Sequence, residues 1–286
     1  MRLPNFFIIG AAKSATTTLY KYLASHPQIH MSVEKEPNFF GADIKYQRGL
    51  TWYSELFSEA EVGQICGEAS TDYSKFPEYP NVAKRIYAAL PDAKFIYMLR
   101  NPIDRAYSYY LHQFREIPYT NVTFEDWLEN TNSCLDGSNY MMQVEQYLNY
   151  FPKSAFLFIF TDDLSNNTQK CLAEIFSFLN VDSSSEIFQD LEKDIFINTS
   201  NKSIEINFKN YITRQIKLVP FVEPLLKVMP KSLRHQVYEN IDKIFPHNPY
   251  IRQPMQPKTR ELLRNYFAEP NQKLSIFLDH DLSFWQ

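Results

Sequence analysis

The stretch that decides the fold is Phe6–Leu23, FFIIGAAKSATTTLYKYL. Phe6 to Ile9 is an apolar run without in–out alternation, which predicts a strand buried on both faces. The run ends at Gly10. Leu19 and Leu23, four apart, mark one face of a helix that begins a few residues later. Between strand and helix lie Lys13, Ser14, Ala15, Thr16, Thr17 and Thr18. A glycine turn, a lysine and hydroxyls at a helix N-terminus form a phosphate-binding arrangement, because free N–H groups and the helix dipole both favour an anion. The Walker spacing G-x-x-x-x-G-K-[ST] is absent, since Lys13 follows Gly10 by three and no second glycine precedes it. The competing readings are a solvated surface lysine and simple N-capping. Thr17 and Thr18 are the favoured side-chain ligands, because a β-branched run is a poor helix start without another reason.

A second stretch, KFIYMLRNPIDRAYSYYLHQ (94–113), repeats this logic. A buried strand ends in Arg100, and Pro102 suits the first turn of the next helix. Ser108 and His112 share one helical face. Arg100 and Ser108 can grip one phosphate, the arginine through a charge-assisted fork. The alternative is an Arg100 that caps a helix or pairs with Asp104. A nucleotide kinase would carry a Walker-B Asp at such a strand end to help hold magnesium; a cation there repels a metal. His26, His30, His235, His247 and His280 show no ligand spacing, so no metal site is expected.

The remainder of the 286 residues fits this picture. Hydrophobic content of 44% and aromatic content of 16% indicate a packed core. Buried strands are predicted at Phe6–Gly10, Ile65–Gly67, Phe95–Leu99 and Ala155–Phe160. Helices are predicted near 15–25, 79–89, 102–115, 139–150, 166–179 and 256–278. Non-alternating strands separated by helices predict an α/β fold with a parallel sheet covered on both faces. Ligands of such sheets bind at the carboxyl ends of the strands. Residues 205–250, with Pro220, Pro224, Pro230 and Pro246, read as a helical insertion or lid within a single domain spanning 1–286. The early strand argues against a signal peptide, and no apolar run is long enough to cross a membrane. Cys66, Cys134 and Cys171 lack paired spacing and read as reduced thiols, so a cytoplasmic location is expected. A net charge of −4 disfavours nucleic acid or a heavily sulfated glycan as partner.

Two phosphate motifs in this order resemble the sulfotransferase family, which uses 3′-phosphoadenosine 5′-phosphosulfate (PAPS). VEKEPNFF (33–40), GLTWY (49–53), YFPKSAFLFIFTDDL (150–164) and YFAEPNQKLSIFLDHDLSFW (266–285) resemble its carbohydrate and bacterial branch. The resemblance implies a P-loop-like three-layer sandwich, no metal, and adenosine 3′,5′-bisphosphate (PAP) as product. It implies that Lys13 and residues Ser14, Ala15, Thr16, Thr17 and Thr18 hold the 5′ end, and that Arg100 and Ser108 hold the 3′-phosphate. Lys202, in NTSNKS (198–203), and Arg252 are implied as further nucleotide contacts. Glu36 matches the general base, with Glu34 and Asp43 as substitutes; an extended segment would put Glu34 and Glu36 on one face. His112 lies on the wrong motif for that role and is read as structural. GEASTDY (67–73) carries Ala69 where the branch often has lysine. With the acidic charge, this favours a neutral or cationic small molecule or neutral sugar as acceptor. The alternatives are a P-loop kinase of a small metabolite and a non-catalytic nucleotide-binding module.

Overall fold

A computed structural model describes residues 1–114, 122–184 and 254–285. Its centre is a five-stranded sheet, all parallel, in the order β2-β3-β1-β4-β5. The strands are β1 (Phe6–Gly10), β2 (Ile29–Met31), β3 (Ile65–Ala69), β4 (Lys94–Leu99) and β5 (Phe156–Phe160). Each step between strands carries at least one helix. They are α1 (Thr16–Ala24), α2 (Asp43–Tyr46), α3 (Gly49–Glu55), α4 (Val82–Ala89), α5 (Pro102–Gln113), α6 (Phe124–Asn130), α7 (Ser133–Asp136) and α8 (Tyr140–Leu148). After β5 come α9 (Thr161–Asn166), α10 (Thr168–Leu179) and α11 (Pro257–Leu278).

Side chains of the strands alternate between two apolar layers, as the pleat requires. Phe7, Ile9, Phe95, Tyr97 and Phe156 pack with Tyr53 of α3, Ile86 of α4, Val144 and Tyr147 of α8 and Leu274 of α11. Phe6, Ile8, Ile96, Met98 and Ile159 pack with Leu19 and Leu23 of α1 and Leu172, Ile175 and Phe176 of α10. Both faces are covered, which explains why the strands read as continuous apolar runs. The expected α/β sandwich is therefore present. Sequence reasoning missed β2, whose three residues include a histidine, and the short helices α2, α3, α6, α7 and α9.

The connection after β1 leads to one side of the sheet and β4 lies on the other, so a crevice opens between the carboxyl ends of β1 and β4. The expected 205–250 lobe, Lys202 and Arg252 lie outside the described residues. Among the described residues, no helix is long and apolar enough to cross a membrane.

Candidate active site

The loop after β1 is tightly shaped. Gly10 has φ +141°, and a Cβ there would sit 2.1 Å from the Ser74 Oγ. Only glycine fits both conditions. Lys13 (φ 72°) and Ala15 (φ 61°) are left-handed although neither is glycine, a conformation that costs about 1–3 kcal/mol each and persists only where surroundings enforce it. Two contacts hold the loop to its neighbours. The Ala11 N–H donates to the Met98 carbonyl at 2.9 Å, and an Arg100 guanidinium nitrogen donates to the Lys13 carbonyl at 3.1 Å. The first turn of α1 then leaves N–H groups without intrahelical acceptors, facing the crevice.

A third brace comes from Arg105, only 1% exposed. It donates to the Ala12 carbonyl (2.9 Å), the Cys134 carbonyl (2.9 Å) and the Ser138 Oγ (3.1 Å). Gly137 makes room for it, because a Cβ there would lie 2.8 Å from the guanidinium. Asp104 is paired with Arg260, so the pairing considered for Arg100 does not occur.

The crevice is a cleft of ≈ 700 Å³ whose walls include Lys13, Ala15, Thr16, Thr17, Arg100 and Ser108, a size suited to a nucleotide. Ser14 is fully buried and Thr18 exposed, and neither lines the cleft. A helix turns about 100° per residue, so only part of the hydroxyl run can face one ligand. His112, read as structural, does line the cleft, as do Tyr109 and Gln113 on the same helix.

A second set of lining residues, forming the wall built from 35–36 and 71–75, is Lys35, Glu36, Thr71, Asp72 and Lys75. Glu36 (φ 61°) and Asn38 (φ 51°) are both left-handed. That breaks the extended segment and separates Glu36 from Glu34, which is exposed and lies 4.0 Å from Lys45. Asp43 pairs with Arg85 on the surface. Glu36 Oε1 accepts from the Lys35 Nζ at 2.6 Å. Its Oε2 accepts from the Thr71 N–H (3.2 Å) and Oγ1 (2.9 Å). Burial pushes the Glu36 carboxyl up, but Lys35 and the two Thr71 bonds outweigh it and hold the pKa below the ordinary value. Glu36 is therefore ionised at neutral pH. Lys75 pairs with Asp72 at 2.5 Å. Thr71, Asp72 and Lys75 were missed in the sequence; the signal was their place just past the carboxyl end of β3.

Positive groups, helix N–H donors and an ionised carboxylate lining one cleft suit transfer of an anionic group to a nucleophile. Comparison with known proteins agrees. Residues 3–224 match the family described as sulfotransferase domain. The chain belongs to the PAPS-dependent sulfotransferase family. It is 31% identical over 187 residues to human heparan sulfate glucosamine 3-O-sulfotransferase 6, covering 63% of this chain and 53% of that protein. It is 30% identical over 202 residues to human bifunctional heparan sulfate N-deacetylase/N-sulfotransferase 2, covering 63% of this chain and 22% of that protein. This chain thus spans about half, or less, of the length of these curated relatives. A sulfotransferase from Alicyclobacillus acidocaldarius superposes with a TM-score of 0.68 at 25% identity, covering 100% of this chain and 99% of that one.

Proposed function

We propose that the protein moves a sulfuryl group from PAPS to a hydroxyl (or amine) of a neutral polar acceptor by in-line transfer. One observation supports this reading: Lys13, Arg100, Ser108 and ionised Glu36 line a single cleft. The cradle fits the donor, because Lys13 and the N–H groups of α1 meet the 5′ end while Arg100 and Ser108 meet the 3′-phosphate. Lys13 stabilises charge on the departing phosphate oxygen. Glu36 takes the proton from the acceptor hydroxyl as its oxygen attacks sulfur. Thr71 fixes the carboxylate orientation through two bonds to one oxygen.

The acceptor wall supports a neutral substrate. Lys35 and Lys75 already hold carboxylates at 2.6 and 2.5 Å, so an anionic acceptor would compete with Glu36 and Asp72 for them. Ala69 adds no further cation. The heparan sulfate named for the relatives fits this wall less well than a neutral sugar or a small alcohol.

A mass-spectrometric screen of neutral alcohols, sugars and amines for gain of one SO₃ group, with PAPS present, tests the activity. Glu36→Gln is expected to keep PAP affinity while turnover falls about 10²–10⁴-fold, the usual worth of a general base. Full turnover in Glu36→Gln would place the base elsewhere, with His112 next in the cleft. Equal loss of PAP affinity would show that Glu36 serves the donor instead.

A further inference from the structure

Glu68 lies on β3, is fully buried, and does not line the cleft. A buried carboxyl without a cation against it is expensive, yet here it is surrounded by hydroxyl groups. Tyr53 donates to its Oε2, and Ser70 Oγ donates to its Oε1 at 2.5 Å. The Tyr73 hydroxyl also lies near enough to stabilise its charge. Two of these hydroxyls also act as acceptors. The Asn38 N–H donates to Ser70 Oγ at 2.9 Å, and the Phe40 N–H donates to the Tyr73 hydroxyl at 3.1 Å. Asn38 and Phe40 belong to the segment that carries Glu36.

The donor count gives this arrangement a direction. A hydroxyl has one proton to give. When ionised Glu68 accepts that proton from Ser70, the bond is charge-assisted and fixes the Ser70 oxygen with a lone pair toward the Asn38 N–H. A protonated Glu68 holds Ser70 only through a weaker neutral bond, so the hydroxyl is freer to turn. The segment then held less firmly is the one with left-handed Glu36 and Asn38, which needs outside restraint to stay in place. We infer that Glu68 is a positioning residue, whose ionised form holds the Glu36 segment through Ser70. Its catalytic consequence rests on the reading of Glu36 as the base.

The groups facing Glu68 allow it to switch in the neutral range. Burial raises its pKa to about 7, opposed by the hydroxyls of Ser70, Tyr53 and Tyr73 and by the charge of Lys45 on α2. Tyr147 of α8 is also close enough to feel its charge. All three tyrosines are pushed up by burial and stay neutral, so the switching proton belongs to Glu68.

Hydrogen exchange of the 36–40 segment, corrected for intrinsic rate, tests the relay without any acceptor. Protection at Asn38 is expected to drop about tenfold on going from about pH 8 to about pH 6. Glu68→Gln, which carries no charge at either pH, should show the low protection at both pH values. Ser70→Ala should lose protection at Asn38 alone. PAP affinity should not move in either variant, because the donor loops hang on β1 and β4. With an acceptor found by the screen, wild-type turnover should rise through an inflection near 7 that Glu68→Gln lacks. Wild-type protection in Ser70→Ala, or in a folded Glu68→Gln, overturns the relay. An intact relay with a pH-independent turnover, in an enzyme that Glu36→Gln inactivates, overturns the link to catalysis. Full turnover in Glu36→Gln overturns the base reading and leaves the exchange result to stand or fall by itself.

Discussion

Replacing Arg105 by Met tests how the phosphate loop is held. Arg105 is buried, and among the described residues no carboxylate pairs with it; its donors go to two carbonyls and a hydroxyl. Three charge-assisted bonds at about 1.5–3 kcal/mol each would exaggerate its worth, because Met also escapes the cost of burying a charge. The better estimate counts what is left behind. The Cys134 carbonyl keeps a donor, since Ser138 Oγ reaches it at 2.7 Å. The Ala12 carbonyl loses its donor, which costs about 1–3 kcal/mol. Ala12 directly precedes left-handed Lys13, so the released loop can relax out of the shape proposed to receive the 5′ end. Arg105→Met is therefore expected to lower stability in urea by about 1–3 kcal/mol and to weaken PAP binding by about 10–100-fold. The stabilisation that saturating PAP confers should shrink in step with the affinity. Urea titrations with and without PAP, together with calorimetry, read both numbers. A variant that unfolds earlier yet binds PAP like wild type would refute the clamp and leave Arg105 a packing residue.

Two further outcomes follow from the cleft. Because Arg100 and Ser108 are assigned to the 3′-phosphate, PAP should bind about 10–100-fold more tightly than AMP, the worth of one or two charge-assisted contacts; equal affinities by calorimetry would remove that assignment. Lys35→Met takes away the nearest cation while burial remains, so the Glu36 carboxyl should titrate at higher pH than in wild type. Carboxyl carbon-13 shifts show this directly, and an unchanged or lower pKa would mean that Lys35 does not hold the carboxylate ionised.

Legibility differed between the two walls of the cleft for a physical reason. The donor wall is built from local sequence: a strand, a turn and a helix start give Lys13, and another such unit gives Arg100 and Ser108. Runs such as Phe6–Ile9 and Phe95–Leu99 show no alternation because α1 and α10 cover one face and α3, α4, α8 and α11 the other. The acceptor wall depends on contacts across more than thirty positions, such as Thr71 to Glu36. Nothing local announces that Glu36 and Asn38 are left-handed, so an extended reading wrongly left Glu34 and Glu36 side by side. Thr18 was overvalued because β-branching explains a poor helix start without saying which hydroxyl faces the ligand.

The same division explains why donor binding and base positioning can be tuned apart. β1 is flanked by β4 on one side and β3 on the other. The Lys13 loop is cross-braced to β4 by the Met98 carbonyl and Arg100, whereas the Glu36 segment hangs on β3 by the Ala69 carbonyl, Ser70 and Thr71. The strands themselves are buried, and on the proposed reading a change in the hydroxyl network around Glu68 is expected to reach the Glu36 segment ahead of the donor loops. The electrostatics run the same way. The donor wall gathers Lys13, Arg100 and buried Arg105 around a site for an anion, while the acceptor wall pairs each of its lysines with a carboxylate. On the proposed reading an acceptor hydroxyl enters a nearly neutral wall, and the strong field is kept for the side where charge would accumulate as the sulfuryl group departs.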